Sequence, residues 1–462
     1  MPPRARADRG PLARRRRVRT LLHPARVIPA GFAAAVVLGT LALLTPVAVA
    51  EGAAPDGGTP LVVAVFTATS AVCVTGLVVV DTGTYWSAAG QAAILVMIQV
   101  GGFGISTLAT LLALLLRRRL GLRSRLATGA ATRSTPAEAR SVLAGIVRIT
   151  LLVEGVVAVA LSLRFLLGYD MPLRRALWYG VFHAVSAFNN AGFALPEDNA
   201  NLVPYATDEW VTVPVMVAVV LGGIGFPVIF EVLRRTGLPW RVSTRLVLLG
   251  TAVLLVGGTA LYLVLEWENA ETYAGLAGAD RVWVALFMSV SARTAGFNVV
   301  DYADLDDGSL FLTTLLMFVG GGSGGTAGGI KVGTLMVLVA AVVAEGRGDP
   351  DAEVFGRRIS PAVIRQALAV IGISGAVIST ATVWLLAVTD AGLAPALFEV
   401  VSAYATVGLS TGITDDLPPG GDWVLVTCMF LGRIGPTTAV AALALRERGR
   451  LYRMPETHPL VG

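Results

Sequence analysis

Thr67-Ala68-Thr69-Ser70-Ala71-Val72-Cys73-Val74-Thr75-Gly76-Leu77 opens a pattern that returns three more times along the chain. Val185-Ser186-Ala187-Phe188-Asn189-Asn190-Ala191-Gly192-Phe193, Val290-Ser291-Ala292-Arg293-Thr294-Ala295-Gly296-Phe297 and Val401-Ser402-Ala403-Tyr404-Ala405-Thr406-Val407-Gly408-Leu409 each hold Ser-Ala, then Gly, then Leu or Phe. The four glycines lie 116, 104 and 112 residues apart, a near-constant period that marks one structural unit copied four times. A second mark keeps the same register: Gly101-Gly102-Phe103-Gly104, Gly222-Gly223-Ile224-Gly225, Gly320-Gly321-Gly322-Ser323 and Gly432-Arg433-Ile434-Gly435 follow, their second residues 26, 31, 25 and 25 positions after the glycines of the first mark.

What lies between these marks is apolar. Of 462 residues 55% are hydrophobic and 15% charged, with mean hydropathy +0.72, more apolar surface than a water-soluble domain of this length hides in its core. Runs near residues 28–50, 88–116, 141–168, 210–230, 246–265, 311–344, 362–389 and 423–445 are each long enough for about 30 Å of hydrocarbon, which predicts eight spanning helices. The chain therefore reads as an all-α polytopic membrane protein of four tandem helix, half-helix, loop, helix repeats. Their bounds are 28–118, 141–235, 244–345 and 359–447, after a basic arm 1–27 and before a tail 448–462.

The connecting segments sort by charge. Segments 1–27, 117–140, 231–245, 345–365 and 446–462 hold 28 basic and 9 acidic residues, while the alternate loops hold 20 acidic and 3 basic. The positive-inside rule places the first set, and both termini, in the cytoplasm. The Arg14–Arg17 run is then an anchor beside anionic membrane lipid rather than a nucleic-acid arm. Cys73 and Cys428 fall in apolar segments and indicate no disulfide framework.

The half-helices are too short to cross, so they are expected to re-enter from the outer side, and irregular backbone at that depth survives only where it lines a cavity. Four such loops around one axis make a ring of carbonyls able to replace the water shell of a cation, with the negative C-terminal ends of the half-helices aimed at it. The ion-binding residues of this ring are Val74, Thr75, Gly76, Asn190, Ala191, Gly192, Thr294, Ala295, Gly296, Thr406, Val407 and Gly408, acting mainly through backbone carbonyls. No covalent cofactor is expected, the transported cation itself being what these residues hold. With one glycine per loop and four unlike loops, discrimination against sodium is expected to be weaker than in tetrameric potassium channels.

Those filter segments, with Ala292-Arg293-Thr294-Ala295-Gly296-Phe297-Asn298 and the glycine-rich stretch Gly320 to Lys331, resemble the Trk/Ktr/HKT superfamily of potassium transporters, and within it the KtrB type of membrane subunit. The resemblance covers nearly the whole chain. It implies potassium uptake across a bacterial cytoplasmic membrane, sodium as an activator, a homodimer, and a cytosolic nucleotide-binding ring of KtrA type as partner.

Ten glycines and small residues in a row cannot propagate a helix, at about 1 kcal/mol per glycine. The third repeat's second helix is therefore predicted to unwind over 320–333 into a mobile intramembrane loop. In the family such a loop lies below the filter as a gate, formed here by Gly320, Gly321, Gly322, Ser323, Gly324, Gly325, Thr326, Gly328, Gly329 and Lys331. Arg433 stands where the other repeats carry glycine and is expected to close the path with this loop. Gly320–Gly325 fits G-x-G-x-x-G formally, but without a βαβ context it does not predict nucleotide binding.

Charges at membrane depth are costly and have a task. Arg293, just before the third filter glycine, and Glu399, read as opening the fourth half-helix, are expected to brace filter loops. His183, Asn189 and Asn190 are read as packing and loop-bracing groups, and Glu154 has no evident partner. Three histidines, His23, His183 and His458, with no triad or metal-ligand spacing, exclude an intramembrane enzyme. The alternative is a sodium-coupled secondary transporter of a small solute, which is usually built on two repeats rather than four.

Overall fold

The computed structural model describes residues 24–54, 58–104, 136–234, 239–415, 417–418 and 420–445. The expected arm before residue 24, the inner part of the second span (105–116), the basic segment 117–135 and the tail after 445 lie outside the described residues.

A helix, a shorter helix, a loop and another helix follow one another four times. The first set is α1 (Pro24–Leu43), α2 (Leu61–Cys73) and α3 (Ala88–Gly104). The second is α4 (Pro136–Gly168), α5 (Leu173–Phe188), and α6 (Glu209–Ile224) with α7 (Phe226–Leu233). The third is α8 (Val242–Glu266), α9 (Gly278–Ser291), and α10 (Asp307–Phe318) with α11 (Val332–Arg347). The fourth is α12 (Pro361–Val388), α13 (Leu393–Ala405) and α14 (Gly421–Leu445). A two-residue antiparallel hairpin, β1 (Glu353–Val354) and β2 (Arg357–Arg358), joins the third set to the fourth.

Local chemistry sets the helix starts. Pro60 and Pro172, with no N–H to offer, precede α2 and α5. The Asp208 side chain accepts from the Trp210 N–H to cap α6, and Ser360 accepts from Ala362 N ahead of Pro361 at the first position of α12, the placement in which a proline costs nothing.

The burial pattern inverts that of a soluble protein. Leu167 on α4 and Val264 on α8 are each 75% exposed, whereas Glu399 and Arg433 are no more than 2% exposed. Apolar residues face outward and polar ones are held inside, the arrangement hydrocarbon solvent selects. The short helices are the core: α2, α5, α9 and α13 are buried along most of their length.

The expected spans are not all straight, unbroken helices. Among the described residues three helices are long and apolar enough to cross a membrane, Arg140–Gly168, Val242–Glu266 and Pro361–Val388, or four if the pair Glu209–Ile224 and Phe226–Leu233 is one span. That pair bends by 98° at Gly225, whose φ of +95° few other residues adopt. The run read as one helix over 210–230 is therefore two, while the run over 311–344 is broken from Val319 to Lys331, where the glycine-rich stretch is expected to unwind. Hydropathy sees composition and not backbone direction, so the bend at Gly225 leaves it unchanged.

Candidate functional site

The loops that follow α2, α5, α9 and α13 meet at one place, and their glycines mesh in cyclic order. A methyl group on Gly76 would strike Ala191 O, on Gly192 would come within 2.9 Å of Gly296 Cα and 3.0 Å of Ala295 O, on Gly296 would strike Val407 O, and on Gly408 would strike Thr75 O. Each glycine thus faces the carbonyl that precedes the next loop's glycine.

All four loops share one backbone device. Gly76, Gly192, Gly296 and Gly408 have φ of +97°, +70°, +76° and +96°, and the residues two before them, Val74, Asn190, Thr294 and Thr406, have φ of +56°, +59°, +70° and +52°. Valine and threonine in this region cost about 1–2 kcal/mol each, strain that persists only where the surroundings impose it. A left-handed residue, an ordinary one and a left-handed one in succession turn consecutive carbonyls to one side, where a regular strand would alternate them. Sequence reading accounted for the glycines and had no signal for the strained residue two places earlier.

The serine of each Ser-Ala pair holds this shape. Thr75 N donates to Ser70 O (2.8 Å), Ala191 N to Ser186 O (2.8 Å), Ala295 N to Ser291 O (2.9 Å) and Val407 N to Ser402 O (2.8 Å). The hydroxyls close the turn a second time: Ser70 Oγ accepts from Gly76 N (3.0 Å) and Ser402 Oγ from Gly408 N (3.1 Å), while Ser186 Oγ donates to Phe193 O (2.7 Å) and Ser291 Oγ to Phe297 O. Eleven of the twelve residues expected to bind the ion have no donor to their carbonyls among the described residues. Among the described residues the single donor to any of them is Asn201 Nδ2, 3.2 Å from Gly192 O. Buried carbonyls are ordinarily paired, and an array of free ones at the C-terminal ends of four helices is a site for positive charge.

The glycine-rich stretch lies directly against these loops, hydrogen-bonded along its length. Gly320 N donates to Ile330 O (2.9 Å), Gly322 N to Gly223 O (2.8 Å), Thr326 N to Gly222 O (3.1 Å) and, from the kinked helix, Phe226 N to Gly324 O (3.3 Å). Gly321, Gly325, Gly328 and Gly329 are buried with it, and Ser323 is its exposed point. Lys331 Nζ donates back to Ala327 O (2.5 Å) and Gly328 O (3.0 Å). Arg433 reaches in from α14, with Nη1 2.5 Å from Thr326 O and Nη2 3.5 Å from Gly101 O. Its guanidinium therefore joins the loop to α3. The second sequence mark has a packing reason: Cβ atoms at Gly101, Gly222 and Gly432 would meet Val72 O, Phe188 O and Tyr404 O, at or near the ends of their own short helices.

The remaining charges are braces. Arg293 Nη1 donates to Thr251 O at 3.3 Å, so it ties its loop to α8. Glu399 sits in the middle of α13 and does not open it, correcting the sequence reading; it accepts from Ser410 Oγ (2.5 Å), Thr411 N (2.9 Å) and Thr414 Oγ1 (2.8 Å). Glu154 has partners after all, Asn189 Nδ2 at 3.0 Å and Gln99 Nε2 at 3.4 Å; they come from α5 and α3, too far along the chain for spacing to reveal. His183 Nδ1 bonds Tyr179 O (2.7 Å), and its Nε2 accepts from Leu195 N (3.3 Å). Glu399→Ala, which orphans one buried donor, Thr414 Oγ1, and two half-buried ones at about 1–3 kcal/mol each at most, is expected to lower the thermal midpoint in detergent and cation flux together. Loss of flux at an unchanged midpoint would instead mean that the carboxylate meets the ion.

The model of the family described as "TrkH: Cation transport protein" matches residues 52–452. The Ktr system potassium uptake protein B of Bacillus subtilis is 35% identical over 447 residues, covering 95% of this chain and 97% of that protein. The potassium/sodium uptake protein NtpJ of Enterococcus hirae is 33% identical over 97% of this chain and 99% of its own length. The crystal structure of the potassium transporter TrkH from Vibrio parahaemolyticus shares the fold, with TM-score 0.66 and 21% identity over 90% of this chain and 84% of that one.

Proposed function

The chain belongs to the TrkH family of cation transport proteins, and on that premise we propose that it takes up potassium across the bacterial plasma membrane through the gap enclosed by its four loops. Its relatives are ion transporters and not enzymes. The observation that carries the reading is the ring of four loops, each glycine set against the next loop's carbonyl, whose twelve carbonyls take a single protein donor among the described residues. A dehydrated cation there would exchange water oxygens for carbonyl oxygens.

The four repeats would then stand around a pseudo-fourfold axis, with Val74, Thr75 and Gly76 and their counterparts as the filter. The stretch 320–333 with Arg433 would be the gate on its inner side. Arg293 and Glu399 would support the filter, and both termini would face the cytoplasm. Relatives named for a Ktr system support a cytosolic regulatory ring as partner, and the relative named for potassium and sodium supports a sodium dependence. A homodimer in contact with lipid completes the proposal.

The test is cation flux into liposomes holding the purified protein, comparing potassium, rubidium, sodium and lithium. Flux favouring potassium and rubidium is expected. No cation flux, even with a cytosolic nucleotide-binding ring supplied, would sink the reading and favour the sodium-coupled solute transporter.

A further inference from the structure

Thr326 is where filter and loop meet. Its Oγ1 lies 2.9 Å from Asn190 Oδ1 and 3.2 Å from Phe188 O, its N–H donates to Gly222 O (3.1 Å), and its carbonyl accepts from Arg433 Nη1 (2.5 Å). Asn190 is the left-handed residue of the second loop. Its counterparts Val74, Thr294 and Thr406 lie against glycine backbone, at Gly101, Gly320 and Gly328, and make no such bond: the hydroxyls of Thr294 and Thr406 have no partner among the described residues. Asn190 is 1% exposed, and its Nδ2 has no acceptor there either. Half of this buried carboxamide is held by the loop and half has no partner among the described residues, a costly arrangement.

We propose that the Asn190 side chain is the link between the filter and the intramembrane loop. While the loop is seated, the Thr326 hydroxyl occupies the carboxamide oxygen; when the loop withdraws, that oxygen is released to a potassium ion at the inner end of the filter. Thr326 is then a positioning residue that acts through Asn190, and the inference rests on the filter and gate reading above. Linkage makes the effect reciprocal: potassium in the filter favours the withdrawn loop by the factor one hydrogen bond is worth, about three- to tenfold.

The experiment places Ala327→Cys beside Thr326 in the full chain in liposomes and follows its modification by a water-soluble thiol reagent. Ala327 is 1% exposed, and the native Cys73 and Cys428 are buried. Potassium is expected to speed modification by about three- to tenfold over an equal concentration of choline. Asn190→Gly keeps the left-handed backbone and removes the carboxamide, and should abolish that acceleration. Thr326→Val should also abolish it, and Thr326→Ser, which keeps the hydroxyl, should restore it. Potassium acceleration that survives in Asn190→Gly, or is absent from the otherwise unaltered chain, overturns the link. Potassium flux in the same liposomes separates the two levels: flux present with no link leaves the pore reading standing, whereas no flux removes both.

Discussion

Gly296→Ser is expected to lower potassium flux in liposomes by at least about tenfold, the effect of roughly 1.4 kcal/mol on a barrier, and to erase the preference for potassium over sodium. Two costs coincide at this residue. Its φ of +76° is a conformation an L side chain adopts at about 1–2 kcal/mol. Its Cβ would also strike Val407 O and lie 3.1 Å from Gly192 Cα, so either the third loop or the fourth must move. Val407 is one of the residues whose free carbonyl forms the proposed ring, so the displacement falls on the ion path itself. Gly372→Ser is the control: it lies in α12 with nothing within 4 Å of its Cβ, and flux should stay within a factor of two of the unaltered chain, as expected of a surface change. Unchanged selectivity in Gly296→Ser would contradict the filter assignment.

Arg433→Ala is expected to raise potassium flux measured without any cytosolic partner, by about tenfold or more. Hydrogen bonds from a charged donor are worth about 1.5–3 kcal/mol, and Arg433 directs two donors into buried carbonyls, Thr326 O on the loop and Gly101 O on α3. Removing them unties the loop from α3, and on the proposed gate reading removing the fixed charge also lifts an electrostatic barrier to the cation. Arg433→Lys keeps the charge and loses the fork that reaches both carbonyls, so it should fall between the two. Flux that drops in Arg433→Ala while the protein stays monodisperse and thermally stable would mean that the arginine holds the open path and does not close it.

Much of the loop arrangement was legible because its marks repeat. The spacing of Gly76, Gly192, Gly296 and Gly408, and the second glycine cluster in step with it, located the loops and the break after Phe318 before any coordinates. Residues acting alone were harder. Glu399 was placed at the start of α13 rather than in its middle because a boundary leaves little trace in an apolar run, and Glu154 was left without partners because Gln99 and Asn189 belong to other elements. The serine of Ser-Ala was seen as a mark, but its work shows only where its carbonyl and hydroxyl close the turn. The bend at Gly225 escaped notice because a single glycine in Val-Leu-Gly-Gly-Ile-Gly-Phe-Pro does not by itself choose between a kink and a straight helix.

By itself the sequence determined the solvent, the number of copies and the chemistry of the loops, since hydropathy, period and the demand for glycine at positive φ are properties of single segments. Tertiary structure alone decided which loop faces which, that Val74, Asn190, Thr294 and Thr406 are driven into left-handed backbone, and that Thr326, Asn190 and Arg433 meet. Those outcomes depend on contacts between segments more than a hundred residues apart, where a carbonyl or a carboxamide acquires its role only from the group brought against it.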